Sequence, residues 1–360
     1  MAVITVENLK KRFNLEAGFF ARFGRFVYAV NGVSFSIGEN ETYGLVGESG
    51  CGKTTTARLL VRMYESDAGS ITFQDKTDVR GLKRGDLKKY REKVKYVFQD
   101  PARSLNPRMT IYDVLVSGYR WSSVWPGEKQ ARLEAAAILE EVGLGSADLE
   151  RRPTEFSGGQ RQRISIARGL LMRPELLICD EVVSALDVSI QGQILNLLLD
   201  IRSRRNLSFL FIAHDLKVAS FFCDRIGVMY RGELMEDAPA QDLYLTAKHP
   251  YTRLLFSAVS KVDKTDSDTA AGSVGGAPSP AAGHGGTQAP GAQVSGTNAL
   301  DETALLKGEV KTAVRELTGC AFAERCPLVE EGCLREHPAM HEAGANHFER
   351  SHLVRCFKSL

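Results

Sequence analysis

A glycine-rich stretch over residues 44–56 follows a strand-like segment and matches the pattern Gly-x-x-x-x-Gly-Lys-Thr of a phosphate-binding loop at every fixed position. Because its glycines have no side chains, successive backbone N–H groups can close around the α- and β-phosphates of a nucleotide. Lys53 is expected to reach the β- and γ-phosphates and the Thr54 hydroxyl to bind Mg²⁺, while the helix that begins here points its positive end at the anion. The stretch predicts that ATP or GTP is bound by the loop residues Gly47, Glu48, Ser49, Gly50, Cys51, Gly52, Lys53, Thr54 and Thr55.

The composition is typical of a soluble globular protein with more than one domain. The chain has 360 residues, of which 43% are hydrophobic and 25% charged, and its 46 basic and 44 acidic residues nearly balance. This balance provides no overall field for nucleic acid, so no nucleic-acid partner is expected. No apolar run approaches the roughly 20 residues needed to cross a bilayer, and the N-terminus lacks the basic-then-apolar order of a signal peptide. The chain is therefore expected in the cytosol.

Downstream of the loop, the hydrophobic pattern predicts an α/β core interrupted by a helical insertion over about residues 101–173. The apolar run 176–181 ends in Asp180 and Glu181, which places two carboxylates where parallel strands end and α/β sheets bind ligands. Asp180 is expected to hold Mg²⁺ through water, and Glu181 to polarise the water that attacks the γ-phosphate. The next apolar strand leads directly to His214, which is expected at the same edge of the sheet.

An aromatic and basic stretch over residues 18–28 admits three interpretations. Its rings can pack on one another in an irregular hairpin. One of them, with Tyr28 as the candidate, can stack on the adenine of a bound nucleotide. The stretch can also touch the surface of a membrane.

Residues 155–163 read Glu-Phe-Ser-Gly-Gly-Gln-Arg-Gln-Arg and resemble the signature motif of ABC transporter ATPases. The accompanying motifs of that family occur in the family's order, with Gln99 as the Q-loop, residues 184–187 as the D-loop and His214 as the switch histidine. The resemblance implies that Asp187 belongs to the D-loop and that Glu181 and His214 are catalytic. It also implies that Mg²⁺ is held by Thr54, Gln99 and Asp180.

The same resemblance implies a composite active site across a head-to-tail dimer. Ser157 and the N–H groups after it form a second anion-binding helix start. In the family, this signature caps the γ-phosphate on the phosphate-binding loop of the other subunit. The residues expected to act in this way are Ser157, Gly158, Gly159 and Gln160.

Within that superfamily the sequence is similar to the ATPase subunits of oligopeptide and dipeptide permeases. The similarity covers residues 1–262 and 300–360 and includes four characteristic stretches: 98–110, 184–191, 211–216 and 249–253. Val182 stands where the family usually has proline, directly after the catalytic glutamate. This change is expected to loosen the turn without removing a catalytic group.

The C-terminal third contains two features of contrasting chemistry. Residues 263–299 are dominated by small and polar residues, do not fit the family pattern and are predicted to be a flexible linker. Beyond the linker, four cysteines suit a metal centre in a reducing cytosol, and the family pattern implies a four-iron four-sulfur cluster. Zinc is the alternative because four histidines are close in sequence, and free thiols are the third possibility. The cysteines are Cys320, Cys326, Cys333 and Cys356, and the histidines are His337, His341, His347 and His352.

Together these features predict an α/β protein with a P-loop NTPase (RecA-like) core, an antiparallel β subdomain, an α-helical subdomain and a small Cys-rich C-terminal lobe. The ABC ATPase domain is expected over residues 1–262 and the lobe over 300–360. The resemblance implies an ATP-hydrolysing subunit that energises import of oligopeptides or dipeptides from the cytoplasmic face of the cell membrane. Its implied partners are a second, related but non-identical ATPase subunit, two membrane-spanning permease subunits and, indirectly, an extracytoplasmic peptide-binding protein.

Three alternatives remain open at the level of sequence. Nickel and glutathione importers use the same ATPase type, because other subunits select the substrate. A soluble ABC ATPase acting on nucleic acid or ribosomes usually joins two ATPase domains or inserts a long coiled coil, and this sequence has neither. A binding module without turnover is disfavoured by the presence of Glu181 and His214.

Overall fold

Two β-sheets with helices around them form the described part of the computed structural model, which comprises residues 1–15, 26–257, 318–345 and 351–358. The predicted linker 263–299 and most of the aromatic stretch lie outside these residues. The strands in chain order are β1 (Ala2–Asn14), β2 (Phe26–Gly38), β3 (Thr42–Val46), β4 (Ala68–Phe73), β5 (Thr77–Asp78), β6 (Val94–Val97), β7 (Leu176–Asp180), β8 (Ser208–Ala213), β9 (Arg225–Tyr230), β10 (Glu233–Pro239), β11 (His341–Ala345) and β12 (Ser351–Val354).

The helices concentrate between β6 and β7, where the sequence predicts the helical insertion. Residues 250–257 are also helical, and among the described helices none is both long and apolar enough to cross a membrane. The numbered helices are α1 (Lys53–Leu60), α2 (Arg84–Lys93), α3 (Pro101–Ser104), α4 (Ile111–Tyr119), α5 (Glu128–Glu141), α6 (Gly158–Leu170), α7 (Val188–Arg205), α8 (Leu216–Phe222), α9 (Ala240–Thr246) and α10 (Glu331–Arg335). Short 3-10 turns lie at Ser146–Glu150, Pro153–Glu155 and Ala323–Arg325.

The larger sheet has a parallel centre made of the short apolar strands. Its order is β11-β12-β10-β9-β3-β8-β7-β6, and β9, β3, β8, β7 and β6 run parallel. Every residue of β3, β7 and β8 is buried, as expected for parallel strands that have a packed layer on both faces. Successive residues of β7 alternate between two hydrophobic cores, with Leu176 and Ile178 on one side and Leu177 and Cys179 on the other.

The smaller sheet is antiparallel, in the order β2-β1-β4-β5. The alternation of apolar and polar residues in the sequence predicts short strands over residues 4–6 and 33–37. Strands β1 and β2, which contain these residues, are much longer and have 13 residues each. The register shifts between Val6 and Leu9, and Asn8 there has a φ of 47°. A bulge of this kind interrupts the alternation of inward and outward residues, which is why the pattern shows only part of each strand.

The C-terminal residues extend the larger sheet. Strand β12 pairs antiparallel with β10, and β11 pairs with β12 at the edge. The His352 Nε2 atom lies 2.6 Å from a carboxylate oxygen of Glu236, and both side chains are at most 1% exposed. The small C-terminal lobe is therefore attached to the core through backbone pairing and through a buried polar contact.

A buried tyrosine joins the strands on either side of β9. The Tyr43 hydroxyl donates to Asp237 on β10 over 2.9 Å, and Arg225 donates to the other oxygen of Asp237 over 2.7 Å. The Tyr43 ring crosses β9 at Gly227, where an added Cβ would lie 2.2 Å from the hydroxyl oxygen. The ring also stacks on Phe35 with centroids 4.8 Å apart, so it has little freedom to move aside.

Gly227→Ala should therefore lower the free energy of unfolding by about 1–3 kcal/mol, since the extra methyl group overpacks the space that Tyr43 fills. Denaturant titration measures this change. Gly192→Ala in α7 is the matched control, because an added Cβ there meets nothing within 4 Å. Removing a glycine from a helix interior should raise stability by about 0.5–1 kcal/mol. An unchanged denaturant midpoint in the Gly227→Ala variant would contradict the packing argument.

Candidate nucleotide-binding site

The carboxyl ends of neighbouring parallel strands bring the predicted site residues to one edge of the larger sheet. Strand β3 leads into the phosphate-binding loop, and β7 ends at Asp180. Strand β8 ends one residue before His214, and β6 ends two residues before Gln99. His214 and Gln99 are both exposed at this edge.

The phosphate-binding loop has a backbone that side chains would obstruct. Gly52 has a φ of 112°, and an added Cβ at this residue would lie 2.2 Å from the Ala29 carbonyl oxygen. The Lys53 ammonium donates to the carbonyl oxygens of Gly47, at 2.7 Å, and Glu48, at 3.1 Å. Lys53 is only 4% exposed, so its charge lies inside the loop that the sequence predicts to receive phosphate.

The remaining loop residues differ in exposure. Cys51 is fully buried, and burial raises the pKa of its thiol, which makes it a packing residue. Ser49 and Gly50 are exposed, and Thr54 and Thr55 are half-buried at the start of α1. The loop thus presents Ser49 and Gly50 to solvent, leaves Thr54 partly accessible and keeps Cys51 and Lys53 within.

Two of the three predicted Mg²⁺ ligands are in contact. The Thr54 hydroxyl donates to one carboxylate oxygen of Asp180 over 3.0 Å. The Gln99 amide instead donates to Glu181 over 2.6 Å. Asp180 is 2% exposed and Glu181 is half-buried, so the two carboxylates differ in their access to solvent.

The structure adds Tyr96, which the sequence analysis missed. Its hydroxyl donates to the second oxygen of Asp180, so both oxygens of that carboxylate have a partner. Burial, followed by the nearby Asp180, raises the pKa of Tyr96, which therefore stays a neutral donor. The only signal in the sequence is a tyrosine three residues before the Q-loop glutamine, in a strand that otherwise reads as core.

The turn after β7 is closed by hydrogen bonds. Glu181 has a φ of 48°, and its N–H donates to the Ile212 carbonyl over 3.1 Å. The Ser184 N–H and hydroxyl both donate to the Glu181 carbonyl, at 3.2 and 2.9 Å. Val182, in the position expected to loosen the turn, is buried, so packing and the Ser184 bonds fix the turn without proline.

The signature forms a helix start on the surface. Ser157 caps α6 and accepts from the N–H of Gln160 over 3.3 Å, as its position before a helical run predicts. Both side chains are exposed, and Gly158 and Gly159 are half-buried. The D-loop residue Asp187 precedes α7 and is exposed. Across the described residues, no hydrogen bond or ion pair joins these signature residues to the phosphate-binding loop.

Tyr28 lies in β2, opposite Arg12 of β1, and is half-buried. Eight residues of the aromatic stretch, 18–25, lie outside the described residues. Adenine stacking by Tyr28 stays a prediction.

The four C-terminal cysteines line one pocket, together with Phe322 and His249. Burial, and to a smaller extent the three neighbouring thiols, raises the pKa of Cys320 to about 11. In the described part of the chain, no group of three or more His, Cys, Asp or Glu side chains is arranged for a single metal ion. His337 and His352 contact Glu233 and Glu236 on β10, so these two of the four histidines face carboxylates.

Two family models match parts of this chain. The model of the ABC transporter family matches residues 30–184, and that of the oligopeptide/dipeptide transporter C-terminal region matches 235–287 and 294–333. The second match includes residues 263–287, so the prediction that this part of the chain does not fit the family was wrong. A segment rich in small residues therefore does not mark where the similarity to the family ends.

The curated relatives cover most of the chain. The oligopeptide transport ATP-binding protein AppF of Bacillus subtilis is 39% identical over 353 residues, which is 98% of this chain and 97% of AppF. OppF of the same organism is 45% identical over 262 residues, which is 72% of this chain and 83% of OppF. A putative peptide import ATP-binding protein of Brucella ovis is 41% identical over 321 residues, covering 89% and 90%.

Solved structures share the fold. The ATP-binding cassette MJ0796, in a dimeric structure with ADP and phosphate, superposes with a TM-score of 0.56 at 26% identity and covers 66% of this chain and 98% of that one. The cbiO1 protein of Clostridium perfringens superposes with a TM-score of 0.58 at 24% identity, and the match covers 68% of this chain and 91% of cbiO1. On the extent of these matches, the chain belongs to the ABC transporter family, among the ATP-binding proteins of the oligopeptide and dipeptide transporters.

Proposed function

We propose that this protein hydrolyses ATP to drive an ABC importer of oligopeptides or dipeptides. One observation carries the proposal: a phosphate-binding loop with its lysine, a Thr54–Asp180 pair and a Gln99–Glu181 pair converge at one edge of the sheet. The names of the relatives, which are oligopeptide transport ATP-binding proteins, support the class of substrate.

Each group has a role that its position allows. Lys53 exchanges the loop carbonyls for the β- and γ-phosphates, because an ammonium binds anionic oxygen more strongly than neutral carbonyl oxygen. Thr54 would hold Mg²⁺ directly and Asp180 through water, the ion would neutralise charge on the phosphates, and Tyr96 fixes the Asp180 carboxylate. Glu181 orients the attacking water and Gln99 fixes Glu181. His214 contacts the γ-phosphate from the end of β8.

The signature serves a partner subunit. Ser157 and Gln160 are exposed at the start of a 13-residue helix, which provides N–H donors and a positive end for an anion outside the chain. The proposed partner is a related but non-identical ATPase subunit that binds head to tail. The dimeric structure of MJ0796 supports pairing of such cassettes.

The permease subunits bind beside the helical subdomain, at the cytoplasmic face of the membrane. A cleft of about 320 Å³ lies there between α2 and α4, and Trp121 at its rim is 75% exposed. Its lining includes the cations Arg84 and Arg91. Tryptophan and arginine are both enriched at protein contact surfaces. Lys95, in the lining of this cleft, lies four residues before Gln99. A short segment of chain therefore joins the permease contact to the catalytic edge.

The cysteine pocket holds a four-iron four-sulfur cluster. Four thiols that face one pocket with apolar walls are the ligand set of such a cluster. No group of three or more His, Cys, Asp or Glu side chains in the described residues is arranged for a metal ion, so the proposal rests on the pocket that the four thiols share. When bound, the cluster supplies a covalent staple to a lobe with little core of its own.

Glu181→Gln should retain ATP binding and lower turnover at least about 100-fold, because the amide keeps the shape of the side chain and loses the charge that orients water. Steady-state phosphate release and binding of a fluorescent ATP analogue measure the two effects. Glu175→Gln is the matched control, since Glu175 lies at the opposite end of the same strand and pairs with Lys93. Normal turnover in Glu181→Gln would refute the assigned role.

Gly158→Asp should abolish turnover without weakening ATP binding, because its own phosphate-binding loop is intact. An added Cβ at Gly158 meets only Leu186, at an ordinary 3.8 Å, so there is space for a side chain to begin at this position. In dimers that the isolated chain forms with a second copy of itself, in place of the non-identical subunit, mixing Gly158→Asp with Lys53→Ala should restore about a quarter of the activity, since half of the pairs then contain one complete site. Full activity of Gly158→Asp on its own would disprove the composite site.

Protein purified without oxygen should be brown, with broad absorption near roughly 400 nm and about four iron atoms per chain. Cys326→Ser should remove most of the iron. Cys223→Ala, at a buried cysteine outside the pocket, should retain it. Colourless protein with one equivalent of zinc would replace the cluster by zinc, and folded protein with neither metal would leave four free thiols.

A further inference from the structure

A seven-residue loop of the C-terminal lobe, Cys320–Cys326, contacts the phosphate-binding loop. Arg325 Nη1 donates to both carboxylate oxygens of Glu48, at 3.0 and 3.1 Å. The two side chains are 18% and 17% exposed, so water screens this pair only partly. The same nitrogen also lies 3.4 Å from the Tyr230 hydroxyl, and Arg325 is thereby held at the end of β9.

Glu48 is connected to the nucleotide site through its backbone. Its carbonyl oxygen accepts from the Lys53 ammonium over 3.1 Å, and its N–H donates to the Tyr251 hydroxyl over 3.1 Å. Glu48 directly follows Gly47, the first residue of the phosphate-binding loop. A movement of the Glu48 side chain would therefore shift atoms that surround Lys53.

The loop that carries Arg325 is itself fixed to the core. Phe322 is 1% exposed and packs against the rings of Tyr230, at 5.3 Å, and Tyr251, at 5.2 Å. Glu324 pairs with Arg231 over 2.8 Å. Aromatic packing and two ion pairs thus hold one short loop against the residues behind the nucleotide site.

Charge explains why an arginine is useful at this position. The Glu48 carboxylate lies in a loop that receives a triphosphate, and an unpaired anion there repels the ligand. Arg325 compensates that charge and is supplied from a segment 277 residues away in sequence. Its guanidinium reaches both carboxylate oxygens through Nη1 and is charged at every physiological pH.

We infer that Arg325 is a positioning residue for nucleotide binding: through Glu48 it fixes the first turn of the phosphate-binding loop, so that ATP affinity depends on the C-terminal lobe. The inference rests on the proposed binding of ATP by this loop. It assigns to the lobe a direct role at the ATP site, in addition to any metal that its cysteines hold.

The test is a double-mutant cycle on the full chain, with a fluorescent ATP analogue as the probe. Arg325→Ala should weaken binding about tenfold, because Glu48 is left as an uncompensated anion. In a Glu48→Gln background the same substitution should weaken binding less than about twofold, since no anion remains to compensate. At saturating ATP, kcat should change much less than KM. Arg325→Lys should restore part of the affinity.

Two further variants keep the result interpretable. Arg325→Met retains a long side chain over the Tyr230 ring, 5.7 Å from the guanidinium carbon, and should show the same loss if Arg325→Ala does not fold. Arg335→Ala, in an exposed pair with Glu331 in the same lobe, should leave affinity unchanged.

If Arg325→Ala weakens binding of the ATP analogue equally in the natural chain and in the Glu48→Gln background, the inference is overturned and Arg325 only stabilises the lobe. Unchanged affinity in folded Arg325→Ala or Arg325→Met would overturn it as well. Failure of the unaltered chain to bind the analogue would instead refute the proposed function.

Discussion

The register of three parallel strands determines whether the candidate site can exist. Val46 at the end of β3 is level with Ala213, and Asp180 at the end of β7 is level with Ile212. The strands therefore end within about one residue of each other, and the side chains that follow them meet. A slip by one residue would turn every side chain of a strand to the opposite core, so burial on both faces enforces the register that the chemistry needs.

Much of the site could be predicted because its groups are adjacent to short, fixed patterns. Glu181 and His214 directly follow apolar strands, Asp180 ends one, and Lys53 lies in a fixed pattern seven residues after β3, so local sequence determines their position. Tyr96 and Arg325 were missed for the opposite reason. Their partners, Asp180 and Glu48, lie 84 and 277 residues away, and only the folded sheet brings them together. The prediction of short N-terminal strands failed at a bulge, where the alternating pattern is interrupted.

Strand β10 connects the parts of the molecule that the sequence analysis treated as separate. Its three carboxylates, Glu233, Glu236 and Asp237, are all buried, and a buried charge needs a partner. Their partners come from the antiparallel sheet, the parallel core and the C-terminal lobe: Asn31 and His337 for Glu233, His352 for Glu236, and Tyr43 and Arg225 for Asp237. This explains why two histidines near the cysteines in sequence face carboxylates instead.

The pairing of β12 with β10 also affects how the chain folds during its synthesis. Pro239 ends β10, and Val354, which ends β12, is made 115 residues later. At about 5–20 residues per second, the ribosome needs roughly 6 to 23 s to make that interval. Throughout this time one edge of the larger sheet has unpaired N–H and C=O groups, which are a template for strand addition by other chains. A truncated chain that ends before residue 351 would keep that edge open permanently, and its main hazard would be aggregation.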